Sequence, residues 1–212
     1  MQDILTPPVM PRFAETVIVM DANYVDSVAY DFKANLENDL KRTFPDCDLP
    51  TLLICNALDG ETVEGNKEVL SIMVCRKGET KMGHVVPHDL LAEVDGYAFK
   101  HSSLGEFSMA VVEEQDDDIM AGESLYLQVV RVALSSPDIK RLILVTDWQE
   151  TRYELTDELA DAREARQKND KGMPAVTILC TGSGYEVPED CSIIQLGYAI
   201  LHCLGVKEDE LQ

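Results

Sequence analysis

The chain has 212 residues, of which 45% are hydrophobic and 27% charged, a composition typical of a globular protein. This length suits a single α/β domain that buries a core without help from a metal or a disulfide. The charge is extreme, because 18 lysines and arginines against 39 acidic residues leave a formal net charge of −21. Such a surface repels nucleic-acid phosphates and anionic membranes, so we expect neither as a partner.

The six cysteines have no Cys-x-x-Cys spacing, which argues against a zinc ribbon or a thioredoxin-type motif. Cys55, Cys75 and Cys180 lie in apolar runs, where free thiols behave as small hydrophobic groups. No apolar stretch reaches the ~20 residues of a membrane span, and no signal peptide is recognised. We therefore expect a cytoplasmic protein without disulfides.

The predicted organisation is an arm at residues 1–15 containing three prolines, a single domain at 16–206 and an acidic tail at 207–212. The domain begins with residues 16–21, an apolar, β-branched run typical of a strand buried on both faces. Apolar residues then recur every three or four positions and predict a helix that ends near Phe44, because Pro45 cannot continue it.

Two β-hairpins are predicted next. Thr51–Ala57 and Glu68–Arg76 are strand-like runs too close together for a helical crossover, which favours an antiparallel pair. Tyr97–Lys100 and Phe107–Val112 flank a turn and predict the second hairpin. Between the hairpins we predict a short helix, Pro87–Val94, that begins with its proline.

The acidic run Glu113–Asp118 could chelate a hard cation or form a solvated loop before a helix, and we favour the loop. The helix that follows, Ile119–Leu134, is apolar on most faces and is predicted to be strongly buried. This helix has more apolar positions than packing on one face of the sheet requires. We predict that the remaining apolar face, or the proline-containing arm, contacts a second copy of the chain in a homodimer.

The remaining elements alternate between strands and helices: a strand at Arg141–Thr146, a helix at Thr151–Lys168, a strand at Ala175–Cys180, a short strand at Ser192–Leu196 and a closing helix at Tyr198–Leu204. The fold class is therefore α/β. We predict a three-layer-like mixed sheet whose parallel core holds the strands near 16–21, 141–146 and 175–180, with flanking helices and two β-hairpins.

Polar residues follow each of the three core strands, and they are the ligand-site candidates: Asp21, Asn23, Asp147, Trp148, Thr181 and Ser183. Because the C-terminal ends of parallel strands meet at one edge of a sheet, we expect these residues to gather there. Asp21 and Asp147 could share a divalent cation, since carboxylate oxygens suit Mg²⁺. They could equally be capping residues at strand-to-helix turns, which is the interpretation we favour.

Other candidate motifs are incomplete. Trp148 could stack on a ligand ring or close the end of the sheet, and we favour the second role. His84 and His88 have a zinc-like spacing, but Pro87 interrupts the helix that this spacing requires. Residues 181–184 (TGSG) do not have the spacing of a nucleophile elbow. The sequence contains neither a Walker loop nor a Gly-x-Gly-x-x-Gly motif.

Two motifs resemble the PIN/NYN nuclease families: VIVMDANY at residues 17–24 and RLILVTDWQE at residues 141–150. Those families begin with an apolar strand that ends in an acidic residue followed by Asn, and a later strand ends in another acidic residue. These positions hold Mg²⁺ or Mn²⁺ there for phosphodiester hydrolysis. The resemblance implies that Asp21 and Asp147 are metal ligands. The chain departs from the pattern at Gln149, where those families commonly have a second acid, and in its two hairpins.

Two functions from different classes follow. The favoured one is a non-catalytic binding or regulatory module without a cofactor, whose partner is a protein or a small molecule. It depends on the absence of any complete catalytic signature. The alternative is a divalent-metal-dependent phosphodiesterase or nuclease of the PIN/NYN type, with Mg²⁺ or Mn²⁺ held by Asp21 and Asp147.

Overall fold

A computed structural model describes residues 13–116, 122, 124–207 and 210. Within these residues the protein is a mixed α/β structure built on a seven-stranded, mostly parallel sheet with helices on both faces. The predicted fold class is confirmed. The predicted arm and tail lie mainly outside the described residues.

The described strands are β1 (Thr16–Asp21), β2 (Cys47–Asp48), β3 (Glu68–Cys75), β4 (Val85–Val86), β5 (Ala98–His101), β6 (Gly105–Glu113), β7 (Arg141–Val145), β8 (Ala175–Cys180) and β9 (Cys191–Gln195). The described helices are α1 (Ala22–Leu40), α2 (Leu49–Asp59), α3 (Leu90–Glu93), α4 (Leu125–Ser135), α5 (Trp148–Lys168) and α6 (Leu196–Cys203).

The large sheet has the strand order β5-β6-β3-β1-β7-β8-β9. All neighbouring strands are parallel except β5 and β6, which form the antiparallel hairpin predicted from the sequence. β1 lies near the centre, where Thr16 is in register with Val69 of β3 and Arg141 of β7. As predicted, β1, β7 and β8 are adjacent and parallel. β2 and β4 form a separate two-residue parallel ladder.

Each face of the sheet carries its own hydrophobic cluster, because successive side chains of a strand point to opposite faces. In β1, Ile18 and Met20 pack in the cluster under α1, α2 and α6. Val17 and Val19 pack in the other cluster, under α4 and α5. β1, which is buried from Thr16 to Met20, therefore joins the two halves of the core.

The first predicted hairpin is wrong, because residues 51–57 lie in helix α2 instead of a strand. The Asp48 side chain caps this helix by accepting a hydrogen bond of 2.9 Å from the backbone N–H of Thr51. Its buried residues have helical spacing: Leu49, Leu52, Leu53, Asn56 and Ala57. With α2 on the connection, β3 pairs parallel to β1 and no hairpin forms.

Other boundaries also differ from prediction. Pro87 precedes α3 instead of opening it, and the helix begins at Leu90 after a cap from Asp89. α1 ends at Leu40 because Lys41 adopts a left-handed conformation. α4 is described from Leu125 onward, so the earlier part of its predicted range lies mainly outside the described residues.

The exposure of α4 corrects a second expectation. Val132 is 50% exposed, although the helix was predicted to be strongly buried.

Among the described helices, none is both long and apolar enough to cross a membrane. The six cysteines are free thiols.

Candidate functional site

The parallel strands end along one side of the sheet, which we call the C-terminal edge. From β1 the chain builds β3 and β6 on one side, then returns to build β7, β8 and β9 on the other. The strand order therefore reverses between β1 and β7. In open α/β sheets, ligands bind outside the strand ends at such a reversal. Asp21 ends β1 and Asp147 follows β7, so both residues border this position.

Asp21 is the N-cap of α1, and its Oδ1 accepts a 2.9 Å hydrogen bond from the backbone N–H of Tyr24. Burial raises the pKa of this carboxyl above its ordinary value. The backbone N–H of Tyr24 and the positive charge of Arg76 offset part of that rise, and the negative charge of Glu150 adds to it. Asp21 is thus a carboxyl group whose ionised form is poorly solvated.

Asn23 fastens the loop after β3 to the start of α1. Its Oδ1 accepts a 2.8 Å hydrogen bond from the backbone N–H of Arg76, and its Nδ2 donates to the Glu79 carbonyl at 2.9 Å. One turn later, the Asp26 carboxylate accepts from the backbone N–H groups of Gly83 and His84. The side chain of Asn23 is therefore committed to holding this loop in place.

Asp147 and Trp148 follow β7 and begin α5. Asp147 caps the helix by accepting a 2.9 Å hydrogen bond from the backbone N–H of Gln149. Trp148 is only 3% exposed and packs in the cluster under α4 and α5. The indole thus lies mainly inside the protein, and little of it faces the C-terminal edge.

Thr181 follows β8 and is bound to Tyr24 across the sheet. The Tyr24 hydroxyl lies 3.0 Å from Thr181 Oγ1 and accepts a 2.9 Å hydrogen bond from the Thr181 backbone N–H. Burial raises the pKa of Tyr24, and the charge of Asp147 contributes to that rise. Ser183 is exposed on the loop beyond. The structure therefore gathers Asp21, Tyr24, Asp147 and Thr181, and leaves Ser183 outside this group.

Metal-binding candidates elsewhere are tied to other roles. His88 contacts the Met82 carbonyl through Nδ1 at 2.9 Å, and His84 packs its ring against Tyr30. In the acidic run, Glu113 accepts from the backbone N–H of Gly78, and Asp116 pairs with Lys77, while residues 117 and 118 lie outside the described ones. Across the described residues, no three His, Cys, Asp or Glu side chains are arranged to hold a metal ion.

Two cavities flank the C-terminal edge. One, of about 530 Å³, lies between α1 and the loop after β3, and Asn23, Tyr30 and Arg76 line it. The other, of about 560 Å³, lies between α5 and the loop after β8. Neither cavity is lined by Asp21 or Asp147. The two carboxylates thus lie between concave surfaces and outside both of them.

Sequence reasoning missed Tyr24, Arg76 and Glu150. Tyr24 is in the first turn of α1, one residue after the candidate Asn23, and its aromatic ring gave no signal of a polar role. Arg76 belongs to a basic stretch, but its proximity to Asp21 depends on β3 pairing parallel to β1. Glu150 became a neighbour of Asp21 because β7 lies beside β1.

The model of a family described as "Family of unknown function (DUF6621)" matches residues 10–211. No curated protein and no solved structure matches the chain.

Proposed function

We propose that this chain, which belongs to the DUF6621 family of unknown function, is a non-catalytic ligand-binding or regulatory module. Its binding position is the C-terminal edge between β1 and β7. The observation that carries the proposal is the partly buried carboxyl of Asp21, placed where the strand order reverses and with its pKa raised by loss of solvation.

The environment of Asp21 indicates the kind of ligand. A poorly solvated carboxylate gains most from a group that brings positive charge or hydrogen-bond donors. Burial is what raises the pKa of Asp21, because the positive charge of Arg76 and the hydrogen bond from the Tyr24 N–H compensate only part of the lost solvation, and the negative charge of Glu150 adds slightly to the rise. The ligand class is therefore an amine or a donor-rich group, on a small molecule or on a partner protein.

The hydrogen bonds of the edge residues support binding without a chemical step. Asp21, Asn23 and Asp147 each accept a hydrogen bond from a backbone N–H group, and these bonds hold the turns and the loop in place. Side chains fixed in this way form a preorganised surface, which lowers the cost of ordering on binding.

The second candidate is a divalent-metal-dependent phosphodiesterase of the PIN/NYN type. The observation that favours it is the adjacency of β1 and β7, which places Asp21 and Asp147 at the ends of neighbouring strands. Two carboxylates suit a partly hydrated Mg²⁺ or Mn²⁺ ion. Against it, the described residues contain no third group arranged to complete such a site.

We propose in addition a fold type, a cellular location and an oligomeric state for this protein. The parallel core follows the strand order of doubly wound, Rossmann-like sheets. We also infer a cytoplasmic location, from the six free cysteines, and a homodimer formed through α4, whose Val132 is exposed. Light scattering at micromolar concentration tests the dimer, and a monomer mass would contradict it.

Thermal unfolding tests which function is correct. Amine-bearing small molecules and, separately, millimolar Mg²⁺ or Mn²⁺ are added to the wild-type protein, to Asp21→Asn and to Asp48→Asn. Asp48 caps a different helix, α2, so its variant controls for the loss of a capping charge. A ligand at a hundred times its dissociation constant adds about 2.7 kcal/mol to the stability of the native state.

We expect an amine to stabilise the wild type and Asp48→Asn but not Asp21→Asn, and the metals to have no effect. A metal-dependent shift that Asp21→Asn abolishes, together with hydrolysis of a phosphodiester analogue, would favour the hydrolase. Stabilisation that persists in Asp21→Asn, or none by any amine, would contradict a binding site at Asp21.

A further inference from the structure

Asp21 and Arg76 bring opposite charges to the C-terminal edge. Asp21 is in register with Val74 of β3, and Arg76 lies two residues beyond that position. Asp21 is partly exposed and Arg76 is exposed, and the positive charge of Arg76 acts on the Asp21 carboxyl. Within the part of the chain that the structure describes, no hydrogen bond or ion pair occupies the Arg76 guanidinium. Both charges are therefore open to a ligand.

The spacing of the two charged residues is set by Asn23. Its side chain accepts a hydrogen bond from the backbone N–H of Arg76 at 2.8 Å and donates to the Glu79 carbonyl at 2.9 Å. These bonds tie the loop after β3 to the first turn of α1, whose N-cap is Asp21. The carboxylate and the arginine backbone are thus held in place before a ligand arrives, which lowers the cost of binding.

The cavity between α1 and the loop after β3 adjoins these charges. It has a volume of about 530 Å³, which is within the usual range of small-molecule sites. Asp21 lies just outside it, two residues before Asn23, which lines it. Tyr30 and His84 also line the cavity, with their ring centres 4.9 Å apart, and Tyr30 is 52% exposed. The cavity thus offers an aromatic surface beside a guanidinium.

The charge of this cavity differs from that of the whole chain, whose formal net charge is −21. Asp26 lines the cavity, but its carboxylate accepts hydrogen bonds from two backbone N–H groups, which compensate its charge. Lys81 and Glu79, which are also in the lining, offset each other. Arg76 is the remaining charge, and a guanidinium binds a carboxylate through two parallel hydrogen bonds.

A ligand that uses both charges needs an amine and a carboxylate close together. The amine would meet Asp21 and the carboxylate would meet Arg76. A free α-amino acid carries these two groups on one carbon atom, whereas a simple amine or the amino terminus of a partner protein lacks the adjacent carboxylate. The exposed ring of Tyr30 suits an aromatic side chain on that ligand, because aromatic rings pack favourably against one another.

We propose that the ligand of the C-terminal edge is a free α-amino acid with an aromatic side chain. Its amine binds Asp21, its carboxylate binds Arg76, and its side chain packs on the Tyr30 ring. This inference rests on the proposed function, because it takes Asp21 as the amine site, and it goes further by naming the ligand class and a second binding residue.

The test is isothermal titration calorimetry of the full-length protein at pH 7 with three probes. L-Phenylalanine carries both charges, phenethylamine lacks the carboxylate, and 3-phenylpropanoate lacks the amine. We expect phenylalanine to bind at least about ten times more tightly than phenethylamine, because charge-assisted hydrogen bonds to a guanidinium are strong. 3-Phenylpropanoate should show no measurable binding, since Asp21 repels its carboxylate.

Two variants assign the difference to Arg76. Arg76→Gln, at an exposed position, should reduce the affinity for phenylalanine to that for phenethylamine and leave phenethylamine binding unchanged. Lys77→Gln is the matched control, because Lys77 is the next residue, pairs with Asp116 and does not line the cavity. It should leave both affinities unchanged. Tyr30→Ala should weaken phenylalanine binding several-fold.

The results separate this inference from the proposed function. Equal affinities for phenylalanine and phenethylamine, or phenylalanine binding that Arg76→Gln leaves unchanged, would overturn the amino-acid ligand and keep the amine site at Asp21. Phenylalanine binding that Tyr30→Ala leaves unchanged would overturn the aromatic preference. Binding of neither phenylalanine nor phenethylamine would contradict the amine site itself, and this inference with it.

Discussion

The hydroxyl of Tyr24 and the backbone of Thr181 are joined across the C-terminal edge by a 2.9 Å hydrogen bond from the Thr181 N–H. The Thr181 side-chain oxygen lies 3.0 Å from the same hydroxyl. One phenol therefore connects the first turn of α1 to the end of β8, two strands away from β1.

Tyr24→Phe removes this hydroxyl and leaves the Thr181 N–H without its partner. We expect a loss of about 1–2 kcal/mol in the free energy of unfolding, because an unpartnered, poorly solvated N–H group is costly. Urea denaturation measures it. Tyr30→Phe, on the same helix but at a half-exposed ring, is the control and should change stability by less than about 0.5 kcal/mol. Equal effects of the two changes would contradict the prediction.

Asp21 predicts an unusual dependence of stability on pH. Burial raises the pKa of Asp21 in the folded protein above the ordinary value of 3.8. Below pH 3.8 Asp21 is protonated, and the folded protein keeps all of the stability that depends on this protonation. This stability is lost as the pH rises through the pKa of the folded state. Asn also caps helices but never ionises, so Asp21→Asn should be at least as stable as the wild type at pH 7.

The difference between the two proteins should shrink as the pH falls from the raised pKa of folded Asp21 to 3.8, and it should be small below that pH, where Asp21 is mainly protonated in both the folded and the unfolded chain. Urea denaturation at pH 7 and near pH 3.5 measures the difference in unfolding free energy between the wild type and Asp21→Asn at each pH. A variant that is less stable than the wild type at pH 7 would show that the charge of Asp21 is itself stabilising.

Arg166 stabilises the end of α4 from a neighbouring helix. Arg166 is 8% exposed, and its guanidinium donates to the backbone carbonyls of Leu134, Ser136 and Gly172 at 2.6–2.8 Å. Arg166→Ala should cost about 3 kcal/mol, because three carbonyls lose their donors together. Lys168→Ala removes only an exposed ion pair on the same helix and should cost less than about 0.5 kcal/mol. Thermal unfolding of both variants checks the contrast.

The cysteines should react slowly in the native protein. Burial raises the pKa of Cys180 and Cys191 to about 11 and that of Cys75 to about 12. At pH 8 roughly one thiol in a thousand is then the reactive thiolate at the first two sites. Titration with a thiol reagent should count six free thiols after unfolding without reductant and show almost no fast reaction before it. A count of four or fewer would indicate disulfides.

The core strands could be predicted because burial on both faces leaves a continuous apolar run, as in Val17–Met20 and Leu142–Val145. The same rule failed at residues 51–57, where an apolar run of strand length belongs to a buried helix. Two local signals indicated that helix: Asp48 at its N-cap and Pro50 in its first turn. Capping residues should therefore be weighed before apolarity in a run of this length.

The candidate site was predictable only where it depends on strand ends. Asp21 and Asp147 come at the ends of two neighbouring parallel strands, which could be predicted because each residue follows an apolar run. The partnership of Tyr24 with Thr181 joins residues 157 positions apart and leaves no local pattern in the sequence. Whether these residues bind a ligand stays a prediction for the unfolding experiments.

The central place of β1 has a consequence for synthesis on the ribosome. Thr16 of β1 is in register with Val69 of β3 and with Arg141 of β7. β1 is made before both of these strands, so one of its edges stays unpaired until β7 has been synthesised. At translation rates of 5–20 residues per second, that wait is on the order of ten seconds. During it, the apolar run Val17–Met20 is a potential aggregation site that a holding chaperone could cover.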